Sequence, residues 1–296
     1  MSQRFLNPQI LSGMSGLELI AKTVVNGFVS GLHRSPDFGF SQEFAEYRAY
    51  TPGDDLRHVD WNVFARTERA YLKRYRGETN TLLTVLLDAS HSMQFGSHST
   101  SKADYARYLA ASLFYLALNI QHDAAGVIVF DDEVRHYVRP STRQGQLHRL
   151  LAALELAEPR ARTDFAKPMR HFQEMLRRRG LVIIVSDFFE AADDLVRKIE
   201  PLRFHGNEVM LFHVLDPHEV RPDFGAPVVL VDLETQQEMQ VNPDYAKSGY
   251  RDKMNAHIAR LRERCRAAGM DYFLLQTDRP LDAALREYLN IRHSRN

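Results

Sequence analysis

The residues whose types and spacing point to chemistry lie in Asp88-Ala89-Ser90-His91-Ser92. Asp88, Ser90 and Ser92 offer three small oxygen donors at alternate positions. One carboxylate with two hydroxyls makes a poor zinc site, because thiolate and imidazole are missing. The set suits a small hard cation that takes oxygen ligands and keeps several waters: Mg²⁺ first, with Mn²⁺ or Ca²⁺ as substitutes. Two more residues are placed to join it. Thr163 lies in a loop before a helix and carries a hydroxyl. Asp187 ends the apolar run from Leu181 as Asp88 ends the run from Thr81. If those two runs are neighbouring strands, both carboxylates meet outside the carboxyl ends of one sheet. Hydroxyls are neutral, so a cation held there stays under-neutralised and receptive to one further anionic oxygen, such as a carboxylate from another protein. The plainer alternative is a polar strand-to-helix turn with a serine capping the helix.

The elements that must position these residues alternate from residue 81 onward. Thr81–Asp88 reads as a buried strand, and Lys102–Gln121 as an amphipathic helix with Tyr105, Leu109, Leu113 and Leu116 on one side. Gly126–Asp131 is a strand, and Val134–Val138 is close enough to pair with it as a hairpin edge. Helices are expected over Gln144–Ala157 and Lys167–Arg179, the latter closed by Gly180. Leu181–Asp187, Glu208–Leu215 and Asp271–Gln276 are further strands, separated by helices over Asp193–Phe204 and Pro243–Ala268. A last helix spans Leu281–Leu289, and Val228–Leu233 with Glu238–Val241 suggests a hairpin insertion near 217–243. Strands joined by helices of this length require crossover connections. The fold class is therefore α/β, a doubly wound and mostly parallel sheet.

Residues 1–80 differ. Leu17, Ile20, Val24, Val25, Phe28 and Leu32 mark a helix, followed by a turn-rich stretch and a segment dense in aromatics and charges. Thr51-Pro52-Gly53-Asp54 signals a turn, and Tyr71–Tyr75 a short strand. This part reads as an N-terminal helix with an extended arm or small subdomain, distinct from the 81–296 domain. Asp54, Asp55, Arg57, His58 and Asp60 suggest an ion-pair collar holding the arm, since Arg48, Arg57, Arg66 and Arg69 can neutralise those carboxylates locally. Trp61 is expected to anchor that packing.

Composition bounds the function. The chain has 296 residues, 44% hydrophobic and 26% charged, ample for a sizeable core. Lys+Arg and Asp+Glu both total 38, so no net charge draws it to nucleic acid or an anionic membrane. A single cysteine, Cys265, excludes an internal disulfide. No apolar run approaches the ~20 residues that span a bilayer. The N-terminus lacks a signal-peptide pattern, so the expected address is the cytoplasm, with no direct membrane insertion.

Asp-x-Ser-x-Ser at a strand end, a later loop threonine and a later strand-end aspartate resemble the metal-ion-dependent adhesion site of von Willebrand factor A domains. The matching positions are Asp88, Ser90, Ser92, Thr163 and Asp187. The resemblance implies a sheet order of 3-2-1-4-5-6 with an antiparallel edge strand. It also implies that Ser90, Ser92 and Thr163 ligate Mg²⁺ directly or through water, while Asp88 and Asp187 act largely through waters. In such sites glycine often follows the strand-end aspartate; here Phe188-Phe189 follows. The N-terminal motifs resemble the bacterial "domain of unknown function 58" family: Arg48-Ala49-Tyr50-Thr51-Pro52-Gly53-Asp54-Asp55-Leu56-Arg57, then Asp60-Trp61, Ala65-Arg66 and Lys73-Arg74-Tyr75. Members carry a von Willebrand A-like domain and tend to be encoded beside MoxR-type AAA+ ATPases. The resemblance implies a non-enzymatic adaptor that works with such an ATPase, or with a client protein supplying an Asp or Glu.

The rival is a Mg²⁺-dependent hydrolase or phosphoryl-transfer enzyme using the same cluster. The sequence has no Gly-x-x-x-x-Gly-Lys loop, no Gly-x-Ser-x-Gly elbow, no His-Glu-x-x-His and no general base placed near Ser90.

Overall fold

A computed structural model describes residues 8–32, 44–50, 59–67, 69–75, 81–157, 159, 164–176, 179–204, 206–224, 226–231, 233, 237–245 and 249–293. The N-terminal part contributes α1 (Pro8–Leu11), α2 (Leu17–Leu32), β1 (Phe44–Ala49), α3 (Trp61–Thr67) and β2 (Tyr71–Tyr75). Then follow β3 (Leu82–Asp88), α4 (Lys102–Tyr115), β4 (Ala124–Phe130), β5 (Val134–Ser141), α5 (Gln146–Glu155), α6 (Ala166–Met175) and β6 (Leu181–Ser186). The remainder is α7 (Ala192–Ile199), α8 (Pro201–Phe204), β7 (Glu208–Leu215), α9 (Pro217–Val220), β8 (Val228–Val231), β9 (Glu238–Val241), α10 (Pro243–Tyr245), α11 (Arg251–Ala267), β10 (Asp271–Gln276) and α12 (Asp282–His293).

Six strands form one sheet in the order β10-β7-β6-β3-β4-β5. All neighbours are parallel except β4 and β5. This is the 3-2-1-4-5-6 order with an antiparallel edge, so the doubly wound α/β class is the observed one. The side chains explain the layering. On β3, Leu83, Val85 and Leu87 enter one core and Leu86 the other; on β6, Leu181, Ile183 and Val185 enter the first and Val182 and Ile184 the second. A strand buried on both faces needs such a continuous apolar run.

The first core also takes in α2, through Ile20, Ala21, Val24, Val25 and Phe28, all at most 2% exposed. Helix α2 lies on α4, so α4 is enclosed between it and the sheet. Eleven of the α4 residues are buried, among them Tyr105, Ala106, Leu109, Ala110 and Leu113. The expected one-sided amphipathic helix is thus buried nearly all round, as a helix with neighbours on both sides must be. Its regular winding stops at Tyr115, and one π turn, Leu116–Ile120, completes the expected length.

Two other boundaries shift for stated reasons. The expected helix over Asp193–Phe204 is divided at Glu200 by Pro201, which has no N–H to continue the ladder. The helix expected to reach Arg179 stops at Met175. Gly180 is not a left-handed helix cap. A Cβ there would lie 2.3 Å from the Leu82 carbonyl oxygen, so its role is close approach of the β6 start to β3. Trp61 departs from its expected part as an anchor: it is 58% exposed and meets Phe64 edge-on with ring centroids 5.9 Å apart. Asp60 is buried and accepts the Val63 N–H at 3.3 Å at the start of α3. Asp54, Asp55, Arg57, His58 and the turn at Thr51–Asp54 lie outside the described residues.

Candidate functional site

The chain leaves β3 for one face of the sheet, and β6 lies on its other side, so the carboxyl ends of β3 and β6 bracket the point where the winding reverses. Loops diverge there and leave a crevice. Asp88 is the last residue of β3, and Asp187 follows the last residue of β6. Each is 2% exposed.

The loop after β3 is folded by Asp88 itself. Its Oδ1 accepts the Ser90 N–H at 2.8 Å, and its Oδ2 accepts the Ser186 hydroxyl of β6 at 2.5 Å. One carboxylate therefore ties the two strand ends together and turns the backbone so that Ser90 and Ser92 come to the same side. Their hydroxyl oxygens are 3.1 Å apart. Burial, then the nearby Asp187 charge, pushes the Asp88 carboxyl up to about 7, against the opposing hydrogen bonds from Ser186 and Ser90.

The turn after β6 is also constrained. Phe188 sits at φ 44°, the left-handed region that glycine tolerates and β-carbon residues rarely adopt. The resemblance drawn from the sequence implies a glycine at this position. Phe188 keeps the conformation because its ring is fully buried, stacked on Phe165 with centroids 5.9 Å apart and edge-on to His213. Its N–H bonds the Ser186 hydroxyl at 3.2 Å. His213 behind it is itself buried, and burial, reinforced by His257, holds it near 3, a neutral imidazole.

The feature that the sequence did not signal is Lys102. It opens α4 and is fully buried. Its ammonium lies 2.8 Å from Asp187 Oδ2 and 2.6 Å from Glu219 Oε1. The Phe189 ring covers it at 4.8 Å and the Phe95 ring at 5.9 Å. Burial works against this charge, but Asp187 and Glu219 outweigh it and hold the ammonium above its ordinary pKa. Burial still pushes Glu219 upward in spite of its lysine partner. Glu219 is fixed from its other oxygen, which accepts the Asp216 N–H at 2.8 Å in a capping box that starts α9. Asp216 in turn accepts from the Ser97 backbone at 2.8 Å and the Ser97 hydroxyl at 2.6 Å, pinning the loop that follows Ser92 to the end of β7. Those hydrogen bonds lower its pKa against the effect of burial.

A cleft of about 1160 Å³ opens above this floor, lined by Ser92, Lys102 and Asp187 on one side and by Phe224, Val231 and Met239 on the other. Its upper wall is the antiparallel β8–β9 hairpin, whose Val229, Val231 and Met239 are 45–55% exposed. The insertion expected near 217–243 thus overhangs the strand ends.

Of the five predicted site residues, Asp88, Ser90, Ser92 and Asp187 come to one end of the sheet, and Thr163 lies outside the described residues. Among the described residues no group of three or more His, Cys, Asp or Glu could hold a metal ion, so any cation must rely on the hydroxyls. The donor chemistry suits that. Two buried carboxylates close enough to repel each other, with paired hydroxyls beside them, fit a hard divalent ion and not a soft one. Among the described residues, Ser90 and Ser92 hydrogen-bond each other, not an imidazole that could activate either as a nucleophile. No described helix is long and apolar enough to cross a membrane.

Comparison with known proteins gives a family and several similar structures. The profile of a family described as "Protein of unknown function DUF58" matches residues 46–264. Uncharacterized proteins Mb1516 of Mycobacterium bovis and Rv1480 of Mycobacterium tuberculosis are each 30% identical over 284 residues, covering 92% of this chain and 86% of theirs. Among solved structures, an aerotolerance-related membrane protein from Bacteroides fragilis is 16% identical, with TM-score 0.48, covering 71% of this chain and 98% of its own. BatB from Bacteroides thetaiotaomicron is 14% identical, with TM-score 0.47 and coverages of 72% and 99%. The SpRpn10 VWA domain is 12% identical, with TM-score 0.43 and coverages of 71% and 95%.

Proposed function

The chain belongs to the DUF58 family, and from that premise and the geometry above we propose that it is a Mg²⁺-dependent protein-interaction adaptor. Ser90, Ser92 and Thr163 would hold the ion with their hydroxyls, and Asp88 and Asp187 would act on it largely through waters. Bound there, the ion supplies an electrophilic coordination position for an Asp or Glu carboxylate of a partner. The family resemblance suggests a MoxR-type AAA+ ATPase or its client as that partner, in protein maturation or remodelling in the cytoplasm.

The observation that carries this reading is the meeting of Asp88, Ser90, Ser92 and Asp187 at one end of the sheet, where Ser92 and Asp187 line the floor of a large cleft. The chain's own residues do three things there. Asp88 folds the serine loop and ties it to Ser186. Phe188 and Phe165 exclude water from beneath the floor. The β8–β9 hairpin offers apolar side chains beside the site, against which a protein segment can pack.

The test compares wild type with Asp88→Ala by Mg²⁺ or Mn²⁺ titration, circular dichroism and phosphoester turnover. The adaptor reading expects an intact fold, divalent binding lost in the variant and no turnover in either protein. Undiminished metal affinity in Asp88→Ala would sink the site assignment. Turnover by wild type that disappears in Asp88→Ala would establish the hydrolase in its place.

A further inference from the structure

Lys102 has no place in an all-oxygen metal site, yet it touches one of its members. A lysine with no exposure must have its charge answered locally, and two carboxylates do so: Asp187 Oδ2 at 2.8 Å and Glu219 Oε1 at 2.6 Å. The two are not equivalent. Asp187 follows the end of β6, inside the candidate metal cluster. Glu219 lies on α9, beyond it, and is fixed independently by the Asp216 N–H. Lys102 itself is anchored by α4, whose first turn is capped by the Ser101 hydroxyl accepting the Asp104 N–H at 3.1 Å. The ammonium therefore spans a carboxylate that a metal would want and another that it would not.

Resting on the Mg²⁺ reading above, we propose that Lys102 is a tethered competitor for the divalent ion. In the metal-free protein its ammonium holds Asp187. When a divalent ion enters, like-charge repulsion moves the ammonium off Asp187, and Glu219 retains it. The exchange is short in range, since both carboxylates already lie within hydrogen-bond distance of the same nitrogen. Two consequences follow. The buried Asp187 is never left without a cation, so the empty site stays folded. The divalent ion must displace a fixed positive charge, so its affinity is lower than the oxygen donors alone would give. A monovalent ion carries too little charge to displace it, which favours divalent over monovalent ions.

The experiment measures Mn²⁺ affinity, by the electron paramagnetic resonance signal of free Mn²⁺ and by calorimetry, for full-length wild type, Lys102→Met and Glu219→Gln. Methionine keeps the length of the side chain and removes the charge. Glutamine keeps the acceptor for the Asp216 N–H and removes the alternative home for the ammonium. Lys102→Met is expected to bind Mn²⁺ at least tenfold more tightly than wild type, and Glu219→Gln severalfold more weakly. Its thermal unfolding should also depend on Mn²⁺ more steeply than that of wild type, because metal replaces the lost counter-charge. Unchanged or weaker binding by Lys102→Met overturns the proposal while leaving the metal site standing. If Lys102→Met does not fold, Glu219→Gln decides, and unchanged or tighter binding there overturns it. Mn²⁺ binding by no protein of the three, wild type included, overturns both this inference and the metal reading beneath it.

Discussion

Asp88 performs two tasks that conflict without a cation. As an acceptor it shapes the serine loop and joins β3 to β6, and as a buried charge near Asp187 it is unfavourable. Its carboxyl is raised from the ordinary 3.8 to about 7, so the folded protein binds this proton more tightly than the unfolded chain. The favourable contribution is complete below about pH 4 and is lost as pH rises through 7. Metal-free protein should therefore melt lower at pH 8 than at pH 5, with Asp88 a main contributor. Asp88→Asn keeps the shape, and Ser186 can reverse its hydrogen bond. In EDTA at pH 8 this variant should melt about 3 °C above wild type, the shift that ~2 kcal/mol produces in a chain of this size, and should no longer respond to Mg²⁺. A lower melting temperature at pH 8 would show that burial of the charge is not what sets the Asp88 environment. That Asp88, Ser90, Ser92 and Asp187 meet at one end of the sheet was legible in the sequence because oxygen donors at strand ends are a local pattern. Lys102 was not, because its meaning depends on residues 85 and 117 positions away in the chain. In the sequence it is only a cation in the first turn of a helix, an unremarkable surface placement.

At the scale of elements, the central strands were legible because burial on both faces demands an uninterrupted apolar run. The same logic failed for α4. Sequence periodicity assumes one buried face, and the second partner, α2, comes from a separate segment. Gly180 shows a related gap: a glycine near a helix end suggests a cap, and only the packed sheet reveals that the Leu82 carbonyl fills the space of a side chain. Gly180→Ala should cost about 2–3 kcal/mol, since the clash is with backbone and the strand must shift. Denaturant unfolding checks this. A cost under a few tenths of a kcal/mol would mean that the β6 start is free to move, and that the Asp187 end of the same strand is less rigidly placed than its burial implies.

At the scale of the molecule, the β8–β9 hairpin and the N-terminal part lie outside the strand-helix alternation. The hairpin was legible as two short strands, but nothing in its own residues places it over the ends of β3 and β6. That position makes the cleft, and it puts exposed Val231 and Met239 in the same cleft as Ser92 and Asp187. The exposed Trp61–Phe64 pair on α3 is a second apolar feature at the surface, set within the N-terminal segment. The two surfaces make different predictions: capture through the cleft depends on a divalent ion and on Asp88, and capture through the N-terminal segment on neither.

The most direct measurement is therefore retention of proteins from an extract of the source organism by tagged wild type and tagged Asp88→Ala, each in Mg²⁺ and in EDTA, with bound proteins identified by mass spectrometry. The adaptor account predicts a MoxR-type AAA+ ATPase with wild type in Mg²⁺ and in none of the other three conditions. The same partners in all four would contradict it, and would move the binding face from the strand ends to the N-terminal segment.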